Sequence, residues 1–174
     1  MAEGLEISRP QEASRLDALT LRTFYVVRHA KAGSGRDWTS DDRKRPLSKK
    51  GMKQAEGLVA LLEPSPITAI FSSPYLRCVQ TVEPLARKRK LETQESASLA
   101  EGHGLAGLNE FLTNQGLDDV VLSTHGDIVW ELVEDLVHRE VSNGGEGGYE
   151  KGSTWVLEVD EQGVPQRARY LPAP

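Results

Sequence analysis

The stretch Phe24-Tyr25-Val26-Val27-Arg28-His29 decides the fold. Its first four residues form a short apolar run of β-prone side chains, which is typical of a strand buried on both faces. Strands of this kind occur in parallel sheets, which bind ligands beyond the carboxyl ends of their strands. The arginine and the histidine that end the run are therefore the first candidate site residues.

Strands and helices alternate along the rest of the chain. The apolar patterns predict strands at residues 67–71, 96–99 (a weak one) and 119–123, and helices at 51–62, 74–89, 105–114 and 127–138. Ser73 is the predicted N-cap of the second helix, with Pro74 at its first position. Residues 154–159 and 166–170 are expected to pair as a hairpin. This order predicts an α/β three-layer sandwich, with a mainly parallel central sheet and helices on both faces.

Length and composition narrow the class of protein. The 174 residues fit one domain, which we place at residues 21–174, after a flexible N-terminal arm at 1–20. The net charge of −5 speaks against nucleic acid or an anionic membrane as the partner. The single cysteine, Cys78, cannot form an internal disulfide and is expected to be a small packed residue. Since no signal-like or membrane-spanning run is found, we expect a cytoplasmic protein; its oligomeric state is not predicted.

Polar residues follow each strand of the predicted sheet. They are Arg28 and His29, the Ser72-Ser73-Pro74 turn with Arg77, Glu101, and the His125-Gly126 pair. Because parallel strands end at one edge of a sheet, we expect these side chains to converge. Two guanidinium groups and a helix N-terminus suit a phosphate group. Nearby positive charge would also keep His29 neutral, so that its lone pair could attack phosphorus.

Four motifs in order resemble the histidine phosphatase superfamily, which has the phosphoglycerate mutase-like fold. They are Val26-Val27-Arg28-His29-Ala30-Lys31, Arg45-Pro46-Leu47-Ser48-Lys49-Lys50-Gly51 with Gln54-Ala55, Ser72-Ser73-Pro74-Tyr75-Leu76-Arg77-Cys78-Val79-Gln80-Thr81, and Ser123-Thr124-His125-Gly126. The alanine after His29 is similar to the small SixA-type phosphohistidine phosphatase branch. Trp38, Asp41-Asp42-Arg43 and Lys151-Gly152-Ser153-Thr154-Trp155 resemble the phosphatase-like domain attached to some bacterial Nudix hydrolases.

The resemblance implies a role for each matching residue. His29 resembles the nucleophile, whereas Arg28, Arg77 and His125 resemble the phosphate pocket, with His125 also counted as catalytic. Glu101 is similar in position to the general acid. Rival proton donors are Asp37, Asp41 and Asp42 in the loop after His29. The interval between Glu101 and His125 is short and leaves room for one helix but not for a long lid over the site. Because the mutases of this superfamily carry a long insertion there, the resemblance implies hydrolysis rather than mutase chemistry.

The leading hypothesis is a metal-independent, cofactor-free phosphatase that acts on a phosphorylated small molecule or phosphoprotein through phospho-His29. Two alternatives stay open. One is a non-catalytic phosphate- or phosphoprotein-binding module. The other is a metal-dependent phosphohydrolase with His29, His125 and Asp127 as ligands, against which the nearby arginines speak. The sequence does not identify the substrate, although Trp38 and Tyr149 could stack on a ring.

Overall fold

Six strands form one mixed sheet in the order β3-β2-β4-β1-β5-β6. In chain order they are β1 (Arg22–Arg28), β2 (Ala69–Ser72), β3 (Thr93–Glu95), β4 (Val120–Thr124), β5 (Thr154–Val159) and β6 (Pro165–Leu171). Strands β1 to β4 pair in parallel, whereas β5 is antiparallel to both β1 and β6. The computed structural model of the chain describes residues 20–141 and 147–174. The predicted hairpin and the mainly parallel sheet are thereby confirmed.

Within the described residues, four α-helices cover the two faces of the sheet. They are α1 (Lys49–Leu61), α2 (Leu76–Arg89), α3 (Gly104–Leu112) and α4 (Gly126–His138). Strand β1 shows the layering, since Phe24 and Val26 pack in one buried apolar cluster with α3 and α4. Tyr25 and Val27 pack in a second cluster with α1 and α2. Alternate residues of β1 thus face opposite helical layers, as expected for a strand buried on both sides.

Two local predictions are wrong. The weak strand predicted at residues 96–99 is instead the short edge strand β3, followed by a 3-10 helix at Ala97–Leu99. Strand β3 is a polar edge strand that pairs with β2, so no apolar pattern marks it in the sequence. The apolar residue that suggested a strand, Leu99, instead packs in the core from the 3-10 helix. The second helix begins at Leu76 rather than Pro74, with Tyr75 as its N-cap. Ser73 lies two residues before that cap, and its hydroxyl accepts the N–H of Tyr75 at 3.3 Å and contacts His125 Nε2 at 2.7 Å.

The predicted arm at residues 1–20 lies outside the described residues except for Thr20, and the division into arm and domain therefore stays a prediction. Residues 142–146, before β5, also lie outside them. Within residues 20–141 and 147–174, no helix is both long and apolar enough to span a membrane.

Candidate active site

Strands β1 and β4 bring two histidines together. The strands are parallel neighbours, with Arg28 in register with Thr124, so that the residue after each strand is a histidine at the same edge. The backbone N–H of His29 donates to Thr124 O at 2.9 Å. The ring centroids of His29 and His125 lie 5.5 Å apart, edge to face. The convergence predicted from the strand ends is confirmed for these two side chains.

The imidazole of His29 is buried and fixed in one orientation. Its Nδ1 lies 2.8 Å from Ala30 O, and because a carbonyl oxygen only accepts, Nδ1 carries the proton. The lone pair of the neutral ring is therefore on Nε2. The pKa of His29 is lowered to about 3, mainly by burial; the charges of His125, Arg77 and Arg28 act in the same direction, and the hydrogen bond to Ala30 opposes them. The ring is neutral at physiological pH, as the sequence predicted.

The backbone after His29 is held by two side chains whose roles the sequence did not reveal. Ala30 N donates to Thr81 Oγ1 on α2 at 2.9 Å, and Lys31 N donates to Gln54 Oε1 on α1 at 3.0 Å. The amide of Gln54 also donates to Lys151 O at 3.3 Å, which ties the loop before β5 to the same segment. Thr81 and Gln54 both lie in the motifs quoted above, and this was the sign in the sequence that they belong to the site.

Arg28 lies against the first residue of α4. A Cβ built at Gly126 would lie 2.6 Å from Arg28 Nη2, so only glycine leaves room for the guanidinium in this position. Its Nη1 donates to Tyr149 O. Across the described chain, the buried Nε of Arg28 has no hydrogen-bond partner. A buried guanidinium N–H without a partner is available to an anionic oxygen.

Arg77, the second residue of α2, is 1% exposed. Its Nη2 donates to Glu101 Oε1 at 2.9 Å and to Asp42 Oδ2 at 3.2 Å, while Nη1 donates to Asp42 O at 3.0 Å. Its Nε is buried and likewise lacks a partner among the residues that the structure describes. The predicted position of Arg77 at a helix N-terminus is confirmed, and its charge is directed at carboxylates.

His125 is buried and has a partner on each ring nitrogen. Nδ1 lies 3.2 Å from Glu101 Oε1, and Nε2 lies 2.7 Å from Ser73 Oγ. Burial lowers the pKa of His125 to about 4, although the Glu101 carboxylate opposes this shift. The same Glu101 oxygen is thus bound by both Arg77 and His125. These two side chains thus bind one anionic oxygen next to the cleft that Glu101 lines.

The open side of the site is a cleft of about 450 Å³. It is lined by Arg28, His29, Glu101, Gly126, Asp127 and Tyr149. Of the rival aspartates, Asp42 reaches Arg77, whereas Asp41 pairs with Arg43 at 2.8 Å and Asp37 does not line the cleft. The Asp127 carboxylate accepts from Gly102 N at 2.9 Å and so fixes the turn after Glu101.

Two other candidates have structural surroundings. Cys78 is buried, as predicted, with Sγ 3.4 Å from His125 Nε2, and burial raises the pKa of its thiol to about 12. It is therefore a thiol rather than a reactive thiolate. Among residues 20–141 and 147–174, no three His, Cys, Asp or Glu side chains form a group that could hold a metal ion. The alternative ligand set of His29, His125 and Asp127 is accordingly not assembled.

A neutral, oriented imidazole near a buried and a half-buried guanidinium group, at the strand ends of an α/β sheet, suits the handling of a phosphate group. The sequence profile of the histidine phosphatase superfamily (branch 1) matches residues 24–106. The chain belongs to the histidine phosphatase superfamily, as its motifs predicted.

A curated relative supports this assignment. It is an 8-oxo-(d)GTP phosphatase from Mycolicibacterium smegmatis, 36% identical over 160 residues, which are 88% of this chain and 49% of the relative. The chain thus spans about half the length of that protein. The resemblance to a domain attached to Nudix hydrolases stays a prediction.

Solved structures show the same fold. The protein histidine phosphatase SixA complexed with tungstate superposes with a TM-score of 0.66 at 19% identity, covering 86% of this chain and 94% of that one. A mycobacterial glucosyl-3-phosphoglycerate phosphatase superposes with a TM-score of 0.56 at 16% identity, covering 86% and 97%. At these identities the similarity concerns the fold, and the α/β sandwich predicted from the sequence is confirmed.

Proposed function

We propose that the chain hydrolyses a phosphomonoester or a protein phosphohistidine without a metal, through a phosphohistidine intermediate on His29. The observation that carries the proposal is the bond from His29 Nδ1 to Ala30 O, which leaves the lone pair on Nε2 beside the cleft. The low pKa of His29, about 3, keeps this nucleophile unprotonated at physiological pH. Unpartnered N–H groups of Arg28 and Arg77, within the described structure, support a phosphate pocket.

The reaction takes two steps. In the first, Nε2 of His29 forms a bond to phosphorus while the bond to the leaving oxygen or nitrogen breaks, and Glu101 gives the leaving atom a proton. In the second, water attacks phosphorus, Glu101 takes up its proton, and the bond to Nε2 breaks to release inorganic phosphate. Arg28, Arg77 and His125 donate hydrogen bonds to the phosphoryl oxygens in both steps, which spreads the developing negative charge.

Glu101 is preferred as the proton donor over the loop aspartates. A hydrogen bond from Arg45, with the nearby charge of Arg77, holds the pKa of Asp42 below its usual value. Hydrogen bonds from Arg43 likewise lower the pKa of Asp41. Their lowered pKa values favour the ionised form, and neither carboxyl group lines the cleft. Glu101 lines the cleft and contacts both Arg77 and His125, where it can exchange places with a phosphate oxygen.

The physiological substrate belongs to this proposal as well. SixA is named as a protein histidine phosphatase and the curated relative as an 8-oxo-(d)GTP phosphatase, so both phosphoproteins and nucleotides should be screened. Tungstate, which SixA binds in its solved complex, is a tetrahedral oxyanion and should inhibit this chain by occupying the phosphate pocket.

The decisive experiment compares the wild-type chain with His29→Ala on an aryl phosphate in the presence of a chelator. Wild type should turn over and form an acid-labile phosphoenzyme, whereas His29→Ala should lose about a thousandfold or more in kcat and form none. His103→Ala is the matched control, because His103 is an exposed histidine at the start of α3.

Other outcomes separate the alternatives. Full activity of His29→Ala would overturn the mechanism. Phosphate binding without turnover, lost in Arg77→Ala, would indicate a binding module instead. Loss of wild-type activity in chelator, with rescue by zinc or manganese, would indicate a metal-dependent enzyme.

A further inference from the structure

Two exposed aromatic rings lie in contact beside the active-site cleft. Trp130 is 44% exposed and Tyr149 is 42% exposed, and their ring centroids are 4.8 Å apart at an interplanar angle of 80°. They are two of the five large hydrophobic side chains that are exposed in the described part of the chain. Two large rings that stay exposed to water lose the free energy that burial of their apolar surface would give. The pair is therefore a candidate surface for contact with a ligand.

The pair is continuous with the catalytic cleft. Tyr149 lines the cleft together with Arg28, His29 and Glu101. Trp130 follows the cleft residue Gly126 by four positions on α4, so both lie on the same face of that helix. The remaining cleft residues are charged, polar or glycine. Among the described residues that line the cleft, Tyr149 offers an apolar surface to a substrate with its phosphoryl group at His29, and Trp130 extends that surface.

The Tyr149 ring is not needed to hold its loop in place. Trp155 Nε1 donates to Gly148 O at 2.7 Å, and Gly152 N donates to His29 O at 3.1 Å. Arg28 binds the backbone oxygen of Tyr149, a contact that any residue at this position could make. These bonds fix the backbone on both sides of the ring without its help.

We propose that Tyr149 and Trp130 form a leaving-group subsite for a planar aromatic ring. An aromatic ring packs edge to face or offset against such a pair, which favours it over a saturated group of equal size. The preferred substrates would then be phosphate esters with an aromatic ring close to the scissile bond. This inference rests on the proposed function, because it assigns the phosphoryl group to the pocket of His29, Arg28 and Arg77.

Benzyl phosphate and cyclohexylmethyl phosphate form a suitable substrate pair, since both lose a primary alcohol and their rings have the same number of carbons. Wild type should show a kcat/KM about three- to tenfold higher for the benzyl ester. Tyr149→Ala should abolish this preference and Trp130→Ala should reduce it, whereas Tyr149→Phe should keep it. Val137→Ala, which removes an exposed apolar side chain from the same helix, is the matched control and should change nothing.

Calorimetric binding of benzylphosphonate and cyclohexylmethylphosphonate separates this inference from the proposed function, since neither compound requires turnover. Tighter binding of the benzyl compound that is lost in Tyr149→Ala supports the subsite even if His29→Ala shows the mechanism to be wrong. Equal affinity for the two compounds in wild type overturns the subsite. A loss of affinity in Tyr149→Ala that is equal for the two compounds also overturns the subsite.

Discussion

Ser73 and Glu101 together hold His125 in one tautomer. The Glu101 carboxylate 3.2 Å from Nδ1 only accepts, so the proton of the neutral ring lies on Nδ1. The Ser73 hydroxyl, which accepts the N–H of Tyr75 at 3.3 Å, then donates to Nε2 at 2.7 Å. His125 can therefore donate to an anionic oxygen while it is uncharged. Ser73 acts on the reaction through His125 and is a positioning residue.

We expect Ser73→Ala to lower kcat/KM by about tenfold or more, because the freed ring can place its proton on Nε2 and turn a lone pair toward the phosphate. Nitrogen chemical shifts of labelled His125 would report the change of tautomer directly. Ser72→Ala is the matched control, since Ser72 is equally buried and its hydroxyl donates to Ser73 O rather than to a histidine. Equal losses in the two variants, with no tautomer change, would contradict the assignment.

At the scale of elements, the first turn of α1 packs directly on the segment that follows His29. A Cβ built at Gly51 would lie 2.0 Å from Lys31 O, a backbone atom that cannot move freely. The same oxygen accepts from Ser48 N at 2.9 Å and from Ser48 Oγ at 3.0 Å. Helix propensity alone predicts that Gly51→Ala is stabilising by about 1 kcal/mol. The clash of the added Cβ with Lys31 O should cost more than the gain in helix propensity, because it forces α1 away from the backbone that follows His29.

Gly51→Ala should therefore lower the free energy of unfolding by about 1–3 kcal/mol and also lower kcat. Urea denaturation and steady-state kinetics measure the two effects. Gly33→Ala serves as the control in the neighbouring loop, because its added Cβ would lie 3.8 Å from the nearest atom, Pro46 O. A more stable Gly51→Ala protein would show that α1 can shift without cost.

The elements that the sequence predicted are those with an apolar signal. Strands β1 and β4 are continuous apolar runs that are buried on both faces, β5 alternates, and the helices have apolar residues at helical spacing. The edge strand β3 has no such signal, since its residues Thr93–Glu95 are polar and pair on one side only. The bond between Ser73 and His125 joins residues 52 positions apart, and no local pattern reveals it. The order of the motifs was enough to locate the site. The tautomers of the two histidines and the pair of Tyr149 and Trp130 could be recognised only from the three-dimensional contacts.

At the scale of the whole molecule, the two buried histidines couple stability to pH. Burial holds the pKa of His29 at about 3 and that of His125 at about 4 in the folded chain, against an ordinary value of 6.5. Between about pH 6.5 and pH 4 the unfolded chain therefore binds more protons at these sites than the folded one. Stability must fall as the pH is lowered through this window, and above it the two histidines contribute no further pH dependence.

Each histidine should contribute up to about 1.4 kcal/mol per pH unit to this slope, as urea unfolding between pH 7 and pH 4.5 would measure. His29→Gln and His125→Gln should each flatten the slope, because glutamine does not titrate. His103→Gln should leave it unchanged, since His103 is exposed at the start of α3. Carboxyl groups such as Asp42, whose pKa is lowered from 3.8, lose their contribution at lower pH and do not account for the slope in this window. A slope that persists in both active-site variants would mean that other groups produce it, and that folding does not lower the pKa values of these two imidazoles.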